Sequence, residues 1–160
     1  MDLDHAQGLR ALLETQRIAA LGTLQAGEPY VSMVPFAVLA DGTALVIHVS
    51  RLAAHTKAML ADPRVSLMVV QRQAPDVAPQ ELARVTIQGD ALQLAGSASG
   101  IAEAKAAYLS RFPESEMTFE LADFSLFAIR PRSARFVGGF AQAKTFTAEG
   151  LARALAGKAA

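Results

Sequence analysis

The sequence contains no cysteine and no tryptophan among its 160 residues. The absence of cysteine excludes disulfides, thiolate catalysis and cysteine-based metal sites, and it fits the reducing cytoplasm. Basic and acidic side chains number 15 each, and this balance argues against an electrostatic nucleic-acid binder. No apolar run approaches the roughly 20 residues of a membrane span, and the acidic N-terminus lacks the apolar segment of a signal peptide. We therefore expect a cytoplasmic protein with no nucleic-acid or membrane partner.

What the sequence does contain is enough apolar material for one sizeable core. Hydrophobic residues make up 52% of the chain, and we expect a single domain over residues 1–160. Familiar catalytic fingerprints are missing: there is no glycine-rich dinucleotide or phosphate loop and no Gly-x-Ser-x-Gly turn. His48 and His55 lack the spacing of a metal motif. We expect no metal site, and a hydrogen-bonded or surface role for both histidines.

Periodicity predicts an alternation of helices and strands along the whole chain. Helices are predicted at 4–18, 51–61 and 101–112 and from Thr147, as the cap, through Leu155. Strands are predicted at 19–25, 30–39, 45–49, 65–70, 82–94, 119–130 and 133–137. Asp41-Gly42 is typical of a hairpin, Gly89-Asp90 of a bend or bulge, and Pro131 of a break between two strands. Strands joined by hairpins cannot form a doubly wound parallel sheet, so the predicted fold is mainly β, an antiparallel barrel with peripheral helices.

The segment from Val49 to Lys57 carries the chemistry that is easiest to interpret. It joins a predicted strand to a predicted helix and gathers the hydroxyls of Ser50 and Thr56 with the cations Arg51 and Lys57. Free N–H groups at a helix start, hydroxyls and cations together are suited to phosphate. The alternative is an ordinary helix start, in which Ser50 is the cap and the two cations lie in water. Position at a barrel rim favours the phosphate site.

Several segments, in their order and spacing, resemble the FMN-binding split-barrel family, which includes pyridoxamine 5′-phosphate oxidase. The segments are 29–36, Asp41-Gly42, 48–57, 62–67 and 83–89. Residues 134–143 resemble the branch that contains haem-utilization (HugZ-type) proteins. The resemblance covers nearly the whole chain and implies a split β-barrel.

The resemblance also implies a homodimer with FMN sites at the subunit interface. Strand residues would line the flavin, the 49–57 segment would hold the ribityl phosphate, and Gly138-Gly139 would approach the ring from the partner. The implied cofactor-binding residues are Ser32, Met33, Val34, Val49, Ser50, Arg51, Thr56, Lys57, Arg84, Gly138 and Gly139. No catalytic residue is implied.

Several departures from the oxidase and from the haem-utilization branch narrow the expected function. Ser32 stands where the oxidase has an arginine, and Ala37 stands where it has a lysine. The oxidase's C-terminal tryptophan and arginine substrate motif is not recognisable, and no histidine follows His55 to serve as a C-terminal haem ligand. The first hypothesis is an FMN-dependent oxidoreductase of unknown substrate, with haem as a related substrate or ligand. The alternatives are a non-catalytic protein that binds or senses flavin or haem, and a structural dimer whose site is empty.

Overall fold

The computed structural model describes residues 2–96, 99–139 and 142–157. Twelve helices and strands follow one another along these residues. In order they are α1 (Asp2–Thr15), β1 (Ile18–Gln25), β2 (Glu28–Pro35), β3 (Ala37–Val38), β4 (Leu45–Ser50), α2 (Ala54–Ala61), β5 (Arg64–Val70), β6 (Arg84–Leu94), α3 (Ile101–Arg111), β7 (Phe124–Val137), β8 (Ala143–Thr147) and α4 (Ala148–Leu155). Short 3-10 segments cover Pro79–Glu81 and Pro113–Glu120.

The strands form one antiparallel sheet, which confirms the predicted architecture. Their order is β2-β1-β5-β6-β7-β4-β3, with β8 added beside β7. β2 and β3 stand at opposite ends of this order, although only Phe36 separates them along the chain. The sheet therefore curls until its two ends meet at Phe36, whose side chain is fully buried. The result is a split barrel.

The split lies between β2 and the end of β4. β3 pairs with β4 at two positions only, Ala37 with Val46 and Val38 with Leu45. In the described part of the chain, the rest of β4 has a ladder only toward β7, and β2 has one only toward β1. Helix α2 follows β4 directly and contacts both β1 and β2, so its first turn stands at this opening.

Alternate residues of the strands fill the interior of the barrel. In β5, Val65, Leu67 and Val69 are buried, whereas the residues between them face outward. This is the period of two that a pleated strand imposes on its side chains. Helix α1 covers one side of the barrel with Leu9 and Leu13, which recur at helical spacing and are almost completely buried.

A second, smaller core lies on the outside of the barrel, where α3 covers β4 and β7. His48 belongs to this core and is stacked on Phe119, with 3.9 Å between the ring centres. Its Nδ1 lies 3.3 Å from the Thr118 hydroxyl, which confirms the predicted hydrogen-bonded histidine. Phe119 lies in a 3-10 segment and not in a strand, so the strand prediction from residue 119 is wrong, although the side chain does pack on a core.

The predicted break at Pro131 is also wrong, because β7 runs through it from Phe124 to Val137. Pro131 is paired with Gly89 at the point where the β6–β7 register shifts. A Cβ on Gly89 would lie 2.3 Å from the Arg130 carbonyl oxygen, so only glycine admits this close approach. Proline, which cannot donate to the ladder, is accommodated at such a bulge. The predicted irregularity at Gly89 is confirmed.

The ends of several predicted helices and strands need correction. The first helix ends at Thr15, because Ile18 already belongs to β1, and the long predicted strand 30–39 bends at Phe36. No strand was predicted at β8, which pairs with the end of β7. The predicted cap of the last helix is confirmed, since the Thr147 hydroxyl accepts a hydrogen bond from the Gly150 N–H at 3.1 Å.

Candidate functional site

The turn between β4 and α2 begins with three residues that are not helical. Helix α2 starts at Ala54, with Ala53 as the N-cap and without a side-chain cap. The Ser50 hydroxyl instead accepts a hydrogen bond from the Leu52 N–H at 3.2 Å. Ser50 is therefore not the helix cap of the alternative interpretation, and the predicted helix 51–61 begins three residues too early. An ST-turn, in which the serine hydroxyl accepts from the backbone N–H two residues later, takes the place of the predicted first turn of the helix.

Thr56 faces the interior of this turn. It is fully buried, and its hydroxyl donates to the Ser50 carbonyl oxygen at 2.6 Å. The N–H groups of Thr56 and Lys57 both point at the Ala53 carbonyl, at 3.2 and 3.3 Å. The Thr56 hydroxyl and these two N–H groups, which were predicted to be available to phosphate, are therefore engaged in starting the helix. The Lys57 side chain is exposed, beside Leu52 and Gln25.

Three further polar side chains at this opening are hydrogen-bonded within the protein. Ser32 on β2 lies 2.9 Å from Nδ1 of His55, and burial lowers the pKa of His55 below its ordinary value, which favours the neutral ring. Arg51 donates through Nε to the Ser125 hydroxyl at 3.3 Å. We refer to Ser32, Ser50, Arg51, His55, Thr56 and Lys57 as the α2 mouth. The structure therefore brings five predicted site residues together with His55, which the sequence interpretation left as a surface or hydrogen-bonded residue.

The predicted apolar flavin contacts point in different directions. Val34 and Val49 are buried in the barrel core. Met33 lies on the opposite face of β2 and is 60% exposed. The side chains of Val34 and Val49 are therefore enclosed by the protein itself, while that of Met33 faces outward.

Arg84, Gly138 and Gly139 form a separate group at the β6–β7 end of the sheet. Arg84 is paired with Val137, the residue before the two glycines, and its guanidinium donates to the carbonyls of Gln80 and Leu82. Gly138 and Gly139 start the turn into β8, where the Gly138 N–H donates to the Gln142 carbonyl at 2.8 Å. β1 and β5 lie between β6 and β2 in the sheet. Within one chain, this group is not part of the α2 mouth.

An apolar groove on the outer face of the sheet was missed by the sequence interpretation. Its cavity of about 620 Å³ runs across the ends of β1, β2 and β5. We refer to six of its lining residues as the outer groove: Ile18, Ala20, Met33, Met68, Val70 and Arg72. Four of the apolar side chains are 40–60% exposed. The signal that could have revealed it is that β5 alternates Val65, Leu67 and Val69 with Met68 and Val70, so that both faces of the strand carry large apolar residues.

Within the described residues, no cluster of three or more histidine, aspartate or glutamate side chains is placed to hold a metal ion. The helices in these residue ranges are too short or too polar to cross a membrane.

Comparison with known proteins gives a family and a consistent set of relatives. The family model described as "Pyridoxamine 5'-phosphate oxidase" matches residues 6–138. A chloroplast haem oxygenase of Arabidopsis thaliana, HOZ, is 38% identical over 117 residues, which are 73% of this chain and 34% of that protein. The chain therefore spans about a third of this curated relative.

Solved structures share the fold. A haem-binding protein from Mycobacterium smegmatis superposes with a TM-score of 0.83 and is 31% identical, covering 93% of this chain and 60% of that one. HutZ, the haem storage protein of Vibrio cholerae, has a TM-score of 0.69 and 23% identity over 77% of this chain and 87% of its own. The likeness to HutZ shows the fold alone.

Proposed function

Because the chain belongs to the pyridoxamine 5′-phosphate oxidase family, we propose that it binds haem in the outer groove, as a homodimer whose second copy covers that groove. The observation that carries the proposal is the exposed apolar groove itself. Water-facing apolar side chains in one continuous patch mark a binding surface more often than chance exposure does. The compartment we expect remains the cytoplasm.

The residues of the outer groove fit a flat, largely apolar macrocycle. Ala20 is the smallest of them and lies at the centre, opposite Met33 on one side and opposite Met68 on the other. The larger side chains of Ile18 and Val70 are also exposed here. Burial of such surfaces stabilises a complex by roughly 25 cal/mol per Å² of apolar area removed from water. The cavity of about 620 Å³ falls within the ordinary range for small-molecule sites.

Charge at the rim of the groove suits the carboxylates of a haem. Arg72 lines the cavity and is exposed in the loop after β5. A guanidinium pairs well with the propionate groups that haem carries at one edge. The protein's part is therefore to enclose the ring among apolar side chains and to orient it by the rim arginine. The bound iron would supply redox and ligand-binding chemistry.

The relatives support haem over other flat ligands. Two relatives that are more than 30% identical, at 38% and 31%, are described as a haem oxygenase and as a haem-binding protein. Both are longer than this chain, so the proposal concerns binding and not the oxygenase reaction.

The second copy is proposed because the groove encloses a ligand on one side only. It lies on an open sheet face, and a partner would remove both the ligand and the surrounding apolar side chains from water. Such a partner is also the means by which Gly138-Gly139, predicted to approach the ring from the other subunit, could reach the ligand.

FMN is the second candidate, and the α2 mouth favours it. Arg51 and Lys57 are exposed cations beside a helix start, which suits the phosphate of FMN. A bound flavin would supply hydride or electron transfer, as the oxidoreductase hypothesis requires. The Ser50 hydroxyl, which accepts from the Leu52 N–H, could also donate to the phosphate, whereas the Thr56 hydroxyl could do so only by giving up its bond to the Ser50 carbonyl.

Titration separates the two candidates. We expect haemin to bind with about one equivalent per chain and to give a shifted Soret band, and Ala20→Phe to weaken that binding at least tenfold by filling the groove. Lys57→Ala is the matched control in the α2 mouth and should leave haem affinity unchanged. If FMN is the ligand, Lys57→Ala weakens its binding by about 1–3 kcal/mol and Ala20→Phe does not. A wild-type protein that takes up no haemin, or a monomer in sedimentation of the loaded protein, would contradict the proposal.

A further inference from the structure

The lining of the outer groove does not fit a haem iron. Among its described residues there is no histidine, tyrosine, aspartate or glutamate, and the chain has no cysteine. The lining is aliphatic apart from three glutamines, one arginine and two methionines. Haem iron is held in proteins by histidine, thiolate, thioether or phenolate ligands, so amide and guanidinium groups do not serve it. Only the methionines carry an atom of the right kind.

The two methionines cannot act as a pair of axial ligands. Met33 on β2 and Met68 on β5 are both paired with Ala20 on β1. They therefore project from the same face of one sheet, on either side of the Ala20 methyl group, and cannot approach one iron atom from opposite sides. In cytochromes c a thioether ligates haem iron opposite a histidine, and the groove offers no histidine to oppose either sulfur.

The three histidines of the chain lie in other parts of the fold. His48 is buried in the smaller core under α3, and His55 is bonded to Ser32 in the α2 mouth. His5 lies on α1, edge-on to the ring of Phe136 in the barrel core. None of the three reaches the outer groove of its own chain.

The proposed second copy does not add a ligand from this face of the sheet. In a two-fold dimer both copies contribute the same surface patch. Next to the groove, the β6 residues in register with Met68 and Val70 are Thr86 and Arg84. A hydroxyl and a guanidinium are no better as iron ligands than the lining of the groove itself.

What the groove does provide is contact for the periphery of a porphyrin. Its exposed apolar side chains, such as Ile18 and Met33, gain free energy when a flat apolar ring removes them from water. Arg72 at the rim is suited to carboxylates. Both interactions involve the ring and its substituents, which are the same whether or not the ring holds a metal.

We propose that the outer groove recognises the porphyrin ring and its carboxylates irrespective of the central metal, so that metal-free protoporphyrin binds as well as haem. The proposal rests on the proposed haem function of this groove and adds to it the class of ligand. That class is a flat, largely apolar tetrapyrrole with carboxylates at one edge.

The experiment titrates the full chain with haemin and, separately, with metal-free protoporphyrin. We expect about one equivalent of either to bind per chain, with dissociation constants that agree within about threefold. Ala20→Phe fills the groove that the two ligands share, so it should weaken both by the same factor. The matched control is Ala102→Phe, which adds the same ring at an exposed position on α3, away from the groove.

A double variant, Met33→Leu with Met68→Leu, tests the sulfurs directly. Leucine keeps the apolar volume and removes the only possible iron ligands of the groove, so we expect both affinities to stay within about threefold of wild type.

The outcomes separate this proposal from the haem function. If the two dissociation constants differ by more than about tenfold in either direction, or if the double variant weakens haemin alone, recognition depends on the metal. Metal-independent recognition is then refuted, while the haem function stands as long as haemin binds. If the wild type takes up neither ligand, or if Ala20→Phe weakens neither, both proposals are refuted.

Discussion

The α2 mouth and the outer groove differ in how their side chains are satisfied. In the α2 mouth, the polar groups bond to the chain itself: Ser32 to His55, Thr56 to the Ser50 carbonyl and Arg51 to Ser125. In the outer groove, large apolar side chains stand in water, with 60% of Met33 exposed. The first region looks like a binding site in the sequence and the second does not.

The difference shows that two questions are separate: whether a type of side chain suits a ligand, and whether that side chain is free to bind it. Hydroxyls and cations near a helix start suit phosphate, yet a buried hydroxyl that already donates at 2.6 Å contributes first to the fold. Apolar side chains on a strand suit a core, yet those on the outer face of β5 have no core to enter. Availability depends on which face of the sheet is covered, and that is a property of the tertiary structure.

The largest expected effect comes from placing the same charge in the barrel core beside the α2 mouth and in the outer groove. Val49→Asp introduces a carboxylate at a position that is 4% exposed within the barrel core, and we expect it to lower the free energy of unfolding by more than about 4 kcal/mol. Val70→Asp places it in the outer groove, where we expect a change within about 1 kcal/mol and loss of haem binding. Urea unfolding and haemin titration measure the two outcomes. Equal destabilisation by both variants would remove the distinction between the regions.

Acid should destabilise the smaller core, which contains His48 on β4, before it affects the outer groove. Burial and the nearby charge of Lys105 lower the pKa of His48 to about 4, from an ordinary value of 6.5. Between these values the unfolded chain binds a proton that the folded protein does not, so stability falls as the pH falls from 6.5 to 4, by up to about 3 kcal/mol. Burial of His55 acts in the same direction.

Urea unfolding at a series of pH values measures this slope. His48→Phe removes the titrating ring and retains an aromatic one beside Phe119, and we expect a flatter profile between pH 6.5 and 4. A variant that retains the full wild-type slope would show that another group is responsible.

Thr56→Val tests whether the α2 mouth is structural. The substitution conserves shape and removes the hydroxyl that donates to the Ser50 carbonyl, so we expect a loss of about 1–2 kcal/mol in thermal or urea unfolding. Haem affinity should stay within about twofold of wild type. FMN binding in the wild type that disappears in Thr56→Val, at unchanged stability, would instead make Thr56 a ligand-binding residue.

The smallest expected effect is at the rim of the groove. Arg72→Gln removes an exposed cation, and exposed ion pairs contribute about 1 kcal/mol or less. We expect haem affinity to fall by about fivefold or less, with a larger difference at low salt than at high salt. An affinity that rises on substitution would show that Arg72 does not face the propionates.

Much of the fold could be predicted from local patterns, because hairpins and amphipathic helices are local. The Asp41-Gly42 turn and the Thr147 cap are examples, and the structure confirms both. Pro131 was misleading because its effect depends on the residue across the ladder, Gly89, which lies 42 positions away in the sequence. β8 was missed because its few residues become a strand only by pairing with the end of β7.

The candidate site was predictable in part for the same reason. Chain proximity brings Ser50, Arg51 and Lys57 together, and the resemblance to a family adds Ser32. That Val34 and Val49 are enclosed while Met33 is exposed follows from which face of each strand meets the core. The pairing of Met33 and Met68 across Ala20 joins three strands, and no spacing along the sequence expresses it.

The closure of the sheet at Phe36 has a consequence for self-association. An open sheet exposes two unpaired ladders along which copies can join edge to edge into aggregates. Here the two ends of the main strand path, β2 and β3, are separated along the chain by Phe36 alone, and α2 stands at the gap that remains. The separate edge at β8 is five residues long and carries Lys144, a charge of the kind that discourages strand addition. Growth by strand addition is thereby restricted, and the broad apolar face around Ala20 is left as the surface through which the proposed homodimer would form.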